Sequence, residues 1–224
     1  MQIDHLISNR RQFIKKSAIA ASGASAISLF PAIAFSQDFT DEGLHIIGPR
    51  QGYSPQIGTL VSMMTWMRAT VLRSVVNLKQ PDLDFLFDAN SNTIGALLMH
   101  LAATEAFYQL NTFQGLSGNK FPADFEKKWM GASDLGESAR KQIKGHDLKY
   151  YVDIMTETRE STLAEFKKRD DAWLMKVDPE GFDDQPTNNY CKWFHVCEHE
   201  SNHNGQIKWY AKRLPGAKTS ASNG

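Results

Sequence analysis

Cysteine is scarce in this sequence, which has two, Cys191 and Cys197, in 224 residues. Six positions apart on one helix they stand roughly 9 Å apart along the axis, beyond the reach of a disulfide. No cystine framework can hold the fold, and stability must come from a buried apolar core. An excess of one charge is also lacking: 25 Lys and Arg balance 25 Asp and Glu, so nothing draws the whole chain to nucleic acid or to an anionic membrane surface. Strand-like alternation of apolar and polar residues is missing, as is any internal repeat. What is there, 42% hydrophobic and 22% charged residues, is the composition of a globular domain and excludes collagen-like and disordered chains.

The N-terminus reads as an address. Asn9-Arg10-Arg11-Gln12-Phe13-Ile14-Lys15 precedes a small-residue apolar stretch from Ala18 to Phe30, and Ala32-Ile33-Ala34 follows. That three-part layout is a secretory signal, and the paired arginines with a weakly apolar core resemble a bacterial twin-arginine signal. A membrane anchor needs about 20 strongly apolar residues, whereas this stretch is diluted by Ser17, Ser22, Gly23, Ser25 and Ser28. Residues 1–36 are therefore expected to be a cleaved signal, with the protein exported, in the periplasm, and meeting membrane only during export. Cleavage near Ala34 or Ser36 leaves 21 basic and 24 acidic residues, a mildly acidic mature chain.

Beyond a linker at residues 37–54, the pattern is helical. Ser54-Pro55 supplies an N-cap and a first-turn proline. Ile57, Leu60, Val61, Met64, Val71, Leu72, Val75 and Leu78 then recur with a 3.6-residue period that stops before Pro81. A second run, capped by Ser91 or Asn92, spans 91–114, a third 147–169 and a fourth 188–214, where Pro215-Gly216 ends it. Short helices fit the long 116–145 connection. The expected fold is all-α: an antiparallel four-helix bundle over residues 55–214 with a long crossover between helices two and three, then a tail at 215–224.

Histidines mark the chemistry. On a helical wheel Val196, His199, His203, Ile207, Tyr210 and Leu214 fall within an arc of about 80°, so the two histidines face the core. Four residues apart, their imidazoles share one face, the spacing of two ligands to one metal ion. A third nitrogen must come from elsewhere, and His100 lies on the inward stripe of the second helix with Leu97 and Leu101. His195 sits farther round the wheel, as a residue that orients a ligand imidazole from behind, a pocket base or a solvated residue. Glu200 and Gln206 flank the pair and are expected either to orient imidazoles or ligand or to lie on the surface. A rival motif, His195-Val196-Cys197-Glu198-His199, matches the H-x-x-E-H signature of inverted zinc peptidases with Glu198 as base. Its face also carries Asn202, Gln206 and Cys191 and is much less apolar, and too little chain follows His199 to supply a distant acidic ligand.

Two segments stand out, Thr93-Ile94-Gly95-Ala96-Leu97-Leu98-Met99-His100-Leu101-Ala102-Ala103-Thr104-Glu105 and His195-Val196-Cys197-Glu198-His199-Glu200-Ser201-Asn202-His203-Asn204-Gly205-Gln206-Ile207. They resemble the DinB-like family, which includes thiol-dependent maleylpyruvate isomerases and bacillithiol transferases. The resemblance implies a divalent metal held by His100, His199 and His203 at one end of the bundle, zinc or nickel first, iron or manganese next. A small-molecule substrate or thiol is the expected partner, the balanced charge speaks against nucleic acid, and a homodimer is allowed for. Three neutral imidazoles leave an open position, the arrangement of a catalytic site. Thiol transfer and hydrolysis are the two chemistries that follow, and a metal-stabilised binding or stress protein without turnover is the alternative.

Overall fold

The computed structural model describes residues 43–117 and 120–217, which lie in one compact unit. The twin-arginine-type segment falls outside the described residues, as does all of the expected tail beyond Ala217. The principal helices are α1 (Pro55–Val75), α3 (Ile94–Tyr108), α6 (Leu148–Phe166) and α8 (Asn189–Ala211). Between them lie the short α2 (Gln80–Leu83), the crossover helices α4 (Ala123–Asp134) and α5 (Gly136–Gln142), and α7 (Asp171–Met175). Two two-residue strands, β1 (Val177–Asp178) and β2 (Thr187–Asn188), pair antiparallel just before α8.

Sequence chemistry sets the helix starts. Thr93, not Ser91 or Asn92, caps α3: its hydroxyl accepts from the Ala96 N–H at 3.0 Å. Asp147 and Asn188 cap α6 and α8 in the same way. At α1 the cap comes from elsewhere in the chain. The Ser54 hydroxyl donates to Asp171 Oδ1, and that carboxylate accepts the N–H groups of Gln56 and Ile57, so α7 closes the orphan donors of a helix more than 100 residues away. The second run stays helical almost to its expected end at 114 but changes its winding on the way. At Tyr108 the backbone widens into a π-turn, Gln109–Phe113, in which the Thr112 hydroxyl accepts from the indole N–H of Trp193 at 3.0 Å.

Two apolar clusters give the helix directions. Ile57 and Leu60 of α1, Tyr108 of α3, Phe166 of α6 and Trp193 of α8 share one cluster. Val71 and Val75, Ile94, Leu148 and Ile207 share the other. Accordingly α1 and α8 run one way, and α3 and α6 run the other. Each packs on a parallel and an antiparallel neighbour, α1 and α3 both touching α6 and α8. Because α3 and α6 are parallel, the chain must return the length of the bundle between them, and α4 and α5 carry it along α3. The parallel pair is tight: a Cβ on Gly95 would stand 2.7 Å from the Tyr151 hydroxyl, so glycine is required there. Residues 43–54, expected as linker, lie along α1, with Leu44 buried and the Gly48 N–H donating to Ser62. Among the described residues no helix is long and apolar enough to cross a membrane.

A layer of charge separates the two clusters. Arg68, Glu105, Arg159 and Glu200, one from each main helix, are each 4% exposed or less. Arg159 donates to Glu105 at 2.7 Å and to Glu200 at 3.0 Å, and Arg68 bonds both carboxylates at 2.6–2.9 Å. Further donors of the guanidinium groups reach the main-chain carbonyls of Met64 and Met155, and Thr162 donates to Glu105. Burial by itself would raise the Glu105 pKa, but Arg159 and Arg68 together with these hydrogen bonds hold it below the ordinary carboxylate value.

Candidate metal centre

Beside this layer α3 and α8 face one another, and their histidines meet. His199 Nε2 lies 2.7 Å from His100 Nε2 and 3.1 Å from His203 Nε2. The 3.6-residue repeat puts His199 and His203 on one face of α8, and the antiparallel packing of α3 sets His100 opposite them. Support for His100 comes from the crossover. Its Nδ1 is 2.9 Å from the Ala132 carbonyl oxygen of α4. A carbonyl only accepts, so Nδ1 carries the proton and the lone pair of the neutral ring is on Nε2, aimed at the other two rings.

Burial keeps these rings neutral. Desolvation, reinforced by repulsion between the rings, pushes His199 down to about 3; desolvation, reinforced by His100, pushes His203 down to about 4. Desolvation also lowers His100, against main-chain hydrogen bonds from Ala132 and Ser133 that favour its charged form. The donor set suits a divalent cation: three neutral imidazoles with convergent lone pairs, the minimum for a tetrahedral ion with one position left open. Ring nitrogens bound to such an ion at 2.0–2.1 Å stand about 3.3 Å apart, a few tenths of an ångström wider than here. His203 Nδ1 is buried without a hydrogen-bond partner. Gln206 is close enough to favour the protonated His203 ring, yet it forms no hydrogen bond of normal geometry with Nδ1.

The chain carries the family's signature over most of its length. Residues 59–210 match the family model described as mycothiol-S-transferase. The chain belongs to this mycothiol S-transferase family. That family lies within the DinB-like superfamily. No curated protein is found to be significantly similar to the chain.

In this S-transferase relative the flanking residues divide. Glu200 was expected beside the imidazoles or on the surface, and it is in neither place: Oε1 accepts from Arg68 and Arg159 inside the charge layer. The helix repeat explains the difference, since one step from His199 turns the side chain about 100° toward α1 and α6. Gln206 lies on the exposed side of α8. His195, half-exposed, packs its ring 5.1 Å from His199, and its Nδ1 lies 2.8 Å from the Tyr108 hydroxyl. Burial, followed by the proximity of Cys191, raises the Tyr108 pKa, so this phenol keeps its proton. With the rings of Phe182 and Phe107 packed on Tyr108, an aromatic wall borders the histidines. Cys197 is buried, and desolvation pushes its thiol up to about 12, which removes it from nucleophilic chemistry.

Sequence reasoning missed Tyr108, the Ala132 carbonyl, and Arg68, Glu105 and Arg159. Only Arg68 left a sequence signal: it fills the one gap in the inward stripe between Met64 and Val71.

Proposed function

We propose that the chain is a metal-dependent thiol S-transferase, joining the sulfur of a low-molecular-weight thiol to an electrophilic carbon, with His100, His199 and His203 as the metal ligands. The convergence of the three rings carries this reading, with His199 Nε2 within hydrogen-bonding distance of the Nε2 atoms of both His100 and His203. A divalent ion held there supplies Lewis acidity, which lowers the pKa of a thiol. The chain's own residues do the rest. Ala132 fixes the tautomer of His100 through its carbonyl oxygen. His195 takes the proton of the incoming thiol at Nε2 when its Nδ1–H donates to the Tyr108 oxygen. The sulfur lone pair then forms the new carbon–sulfur bond, and the leaving group departs with its electron pair. Phe107, Tyr108 and Phe182 shield one side of that step from water.

The test is elemental analysis of the purified protein, followed by assay of thiol and electrophile pairs, with mycothiol, named in the family's description, the first thiol tried. Conjugation that needs the metal supports the reading. Metal-dependent ester or amide cleavage without thiol transfer replaces it with hydrolysis, and a metal-loaded protein without turnover replaces it with a binding scaffold. His195→Ala should keep its metal while conjugation slows about 100-fold, the usual scale for a lost proton acceptor.

The chain is also proposed to act after export by the twin-arginine route, on the strength of Arg10-Arg11 and the weakly apolar stretch behind them. Changing both arginines to lysine should hold the precursor in the cytoplasm, as judged by fractionation and immunoblotting. Undiminished export of that variant excludes the route. A folded-export route suits a protein that loads its ion before crossing the membrane.

A further inference from the structure

The side chains of the H-x-x-E-H motif on α8 come together. His195, Glu198 and His199 each place a ligand atom within 4.8 Å of the others. His195 Nε2 is 3.9 Å from Glu198 Oε2. Two imidazoles and a carboxylate are a sufficient donor set for a divalent cation. This group is the more open of the two: in the triad His203 is buried and His100 and His199 are half-buried, whereas here the His195 side chain is 37% exposed and that of Glu198 49%. Tyr108 holds His195 by Nδ1, which turns Nε2 toward Glu198. Beyond His195, Glu198 makes no ion pair or hydrogen bond among the described residues.

The two groups share one residue, His199. An ion moving inward from the outer group to the inner one keeps a protein ligand throughout where one His199 nitrogen serves both. We infer that His195, Glu198 and His199 form an outer capture site, through which a divalent metal reaches the inner histidine triad by exchanging His195 and Glu198 for His100 and His203 while it stays on His199. This rests on the triad being the resident metal centre.

The charges favour that direction. Outside, a carboxylate attracts the hydrated cation and exchanges oxygen ligands readily; inside, three neutral nitrogens hold a borderline-soft ion more tightly. His203, only 8% exposed, cannot meet an ion arriving from solvent as readily as Glu198 can. Once the transfer is complete, His195 is released with Nε2 available, as its proposed part in thiol chemistry requires.

The experiment is stopped-flow loading of metal-stripped full-length protein with Co2+, followed by the visible absorbance of the loaded centre. Glu198→Gln should load about tenfold more slowly and reach the same final absorbance and stoichiometry as wild type. Equal loading rates overturn the relay and leave the histidine centre standing. A wild type that takes up no cobalt overturns both. A second measurement isolates the outer site: the His100→Ala/His203→Ala double variant should still bind one weak equivalent of Zn2+ by calorimetry, and adding Glu198→Gln should abolish it. No residual binding in the double variant, or residual binding indifferent to Glu198, overturns the capture site.

Discussion

Alanine at His199 should leave the purified protein without metal, with affinity for Zn2+ or Ni2+ lower by at least about 100-fold. His199 Nε2 is the centre of the group, within 3.1 Å of both other Nε2 atoms. Its loss leaves two rings that make no direct contact with each other in hydrogen-bond terms. Thermal unfolding provides a second readout. A ligand that binds only the folded state at 100 times its dissociation constant stabilises it by about 2.7 kcal/mol, so added metal should raise the melting temperature of wild type and leave that of His199→Ala unmoved. The variant should nonetheless fold, because His199 belongs to neither apolar cluster. Metal retained at full stoichiometry in His199→Ala would rule out the triad as the binding site.

Glu105→Gln should have the opposite profile, a large loss of stability with the three histidines untouched. Glu105 accepts from Arg159, Arg68 and Thr162 with no exposure to water. Neutralising it leaves two buried guanidinium groups facing one carboxylate, and breaking a buried pair in this way costs about 3–5 kcal/mol. The measurement is the urea midpoint, read with the unfolding slope to confirm that the change is in stability. The pH dependence has a definite sign. The Glu105 pKa is depressed in the folded state, so its contribution is fully present above the unfolded-state value and is lost as pH falls through the folded one. Wild type should thus lose more stability on acidification than Glu105→Gln does. A variant as stable as wild type at neutral pH would show that the four charges contribute nothing net.

Much of this architecture is legible from residue spacing, for physical reasons that also mark the limit. A helix repeats every 3.6 residues whatever its surroundings, so the inward faces of His199 and His203 on α8 and of His100 on α3 follow from sequence position. The bounds of α8, Asn189–Ala211, fall close to the expected 188–214 because Asn188 is a good cap and Pro215 a firm stop. What depends on tertiary neighbours does not follow. Glu200 turns to Arg68 and Arg159, on helices 132 and 41 positions away. Asp171 caps α1 from 115 positions away. The π-turn that follows α3 receives the Trp193 indole N–H from α8. The helix directions, two up and two down, are set by which residues share an apolar cluster.

The carbonyl of Ala132 has a consequence for how this protein will appear to mutational scanning. It fixes the tautomer of His100 with a main-chain atom, and every amino acid brings the same oxygen. Position 132, only 2% exposed, will therefore score as a place where bulk is penalised and chemistry is ignored. Survey methods that compare side chains will file it under packing, although the proton on His100 depends on it. The contribution would surface only when the backbone itself is edited, by an ester in place of the following amide, which weakens that oxygen as an acceptor, or by a one-residue deletion in α4 that swings the oxygen away.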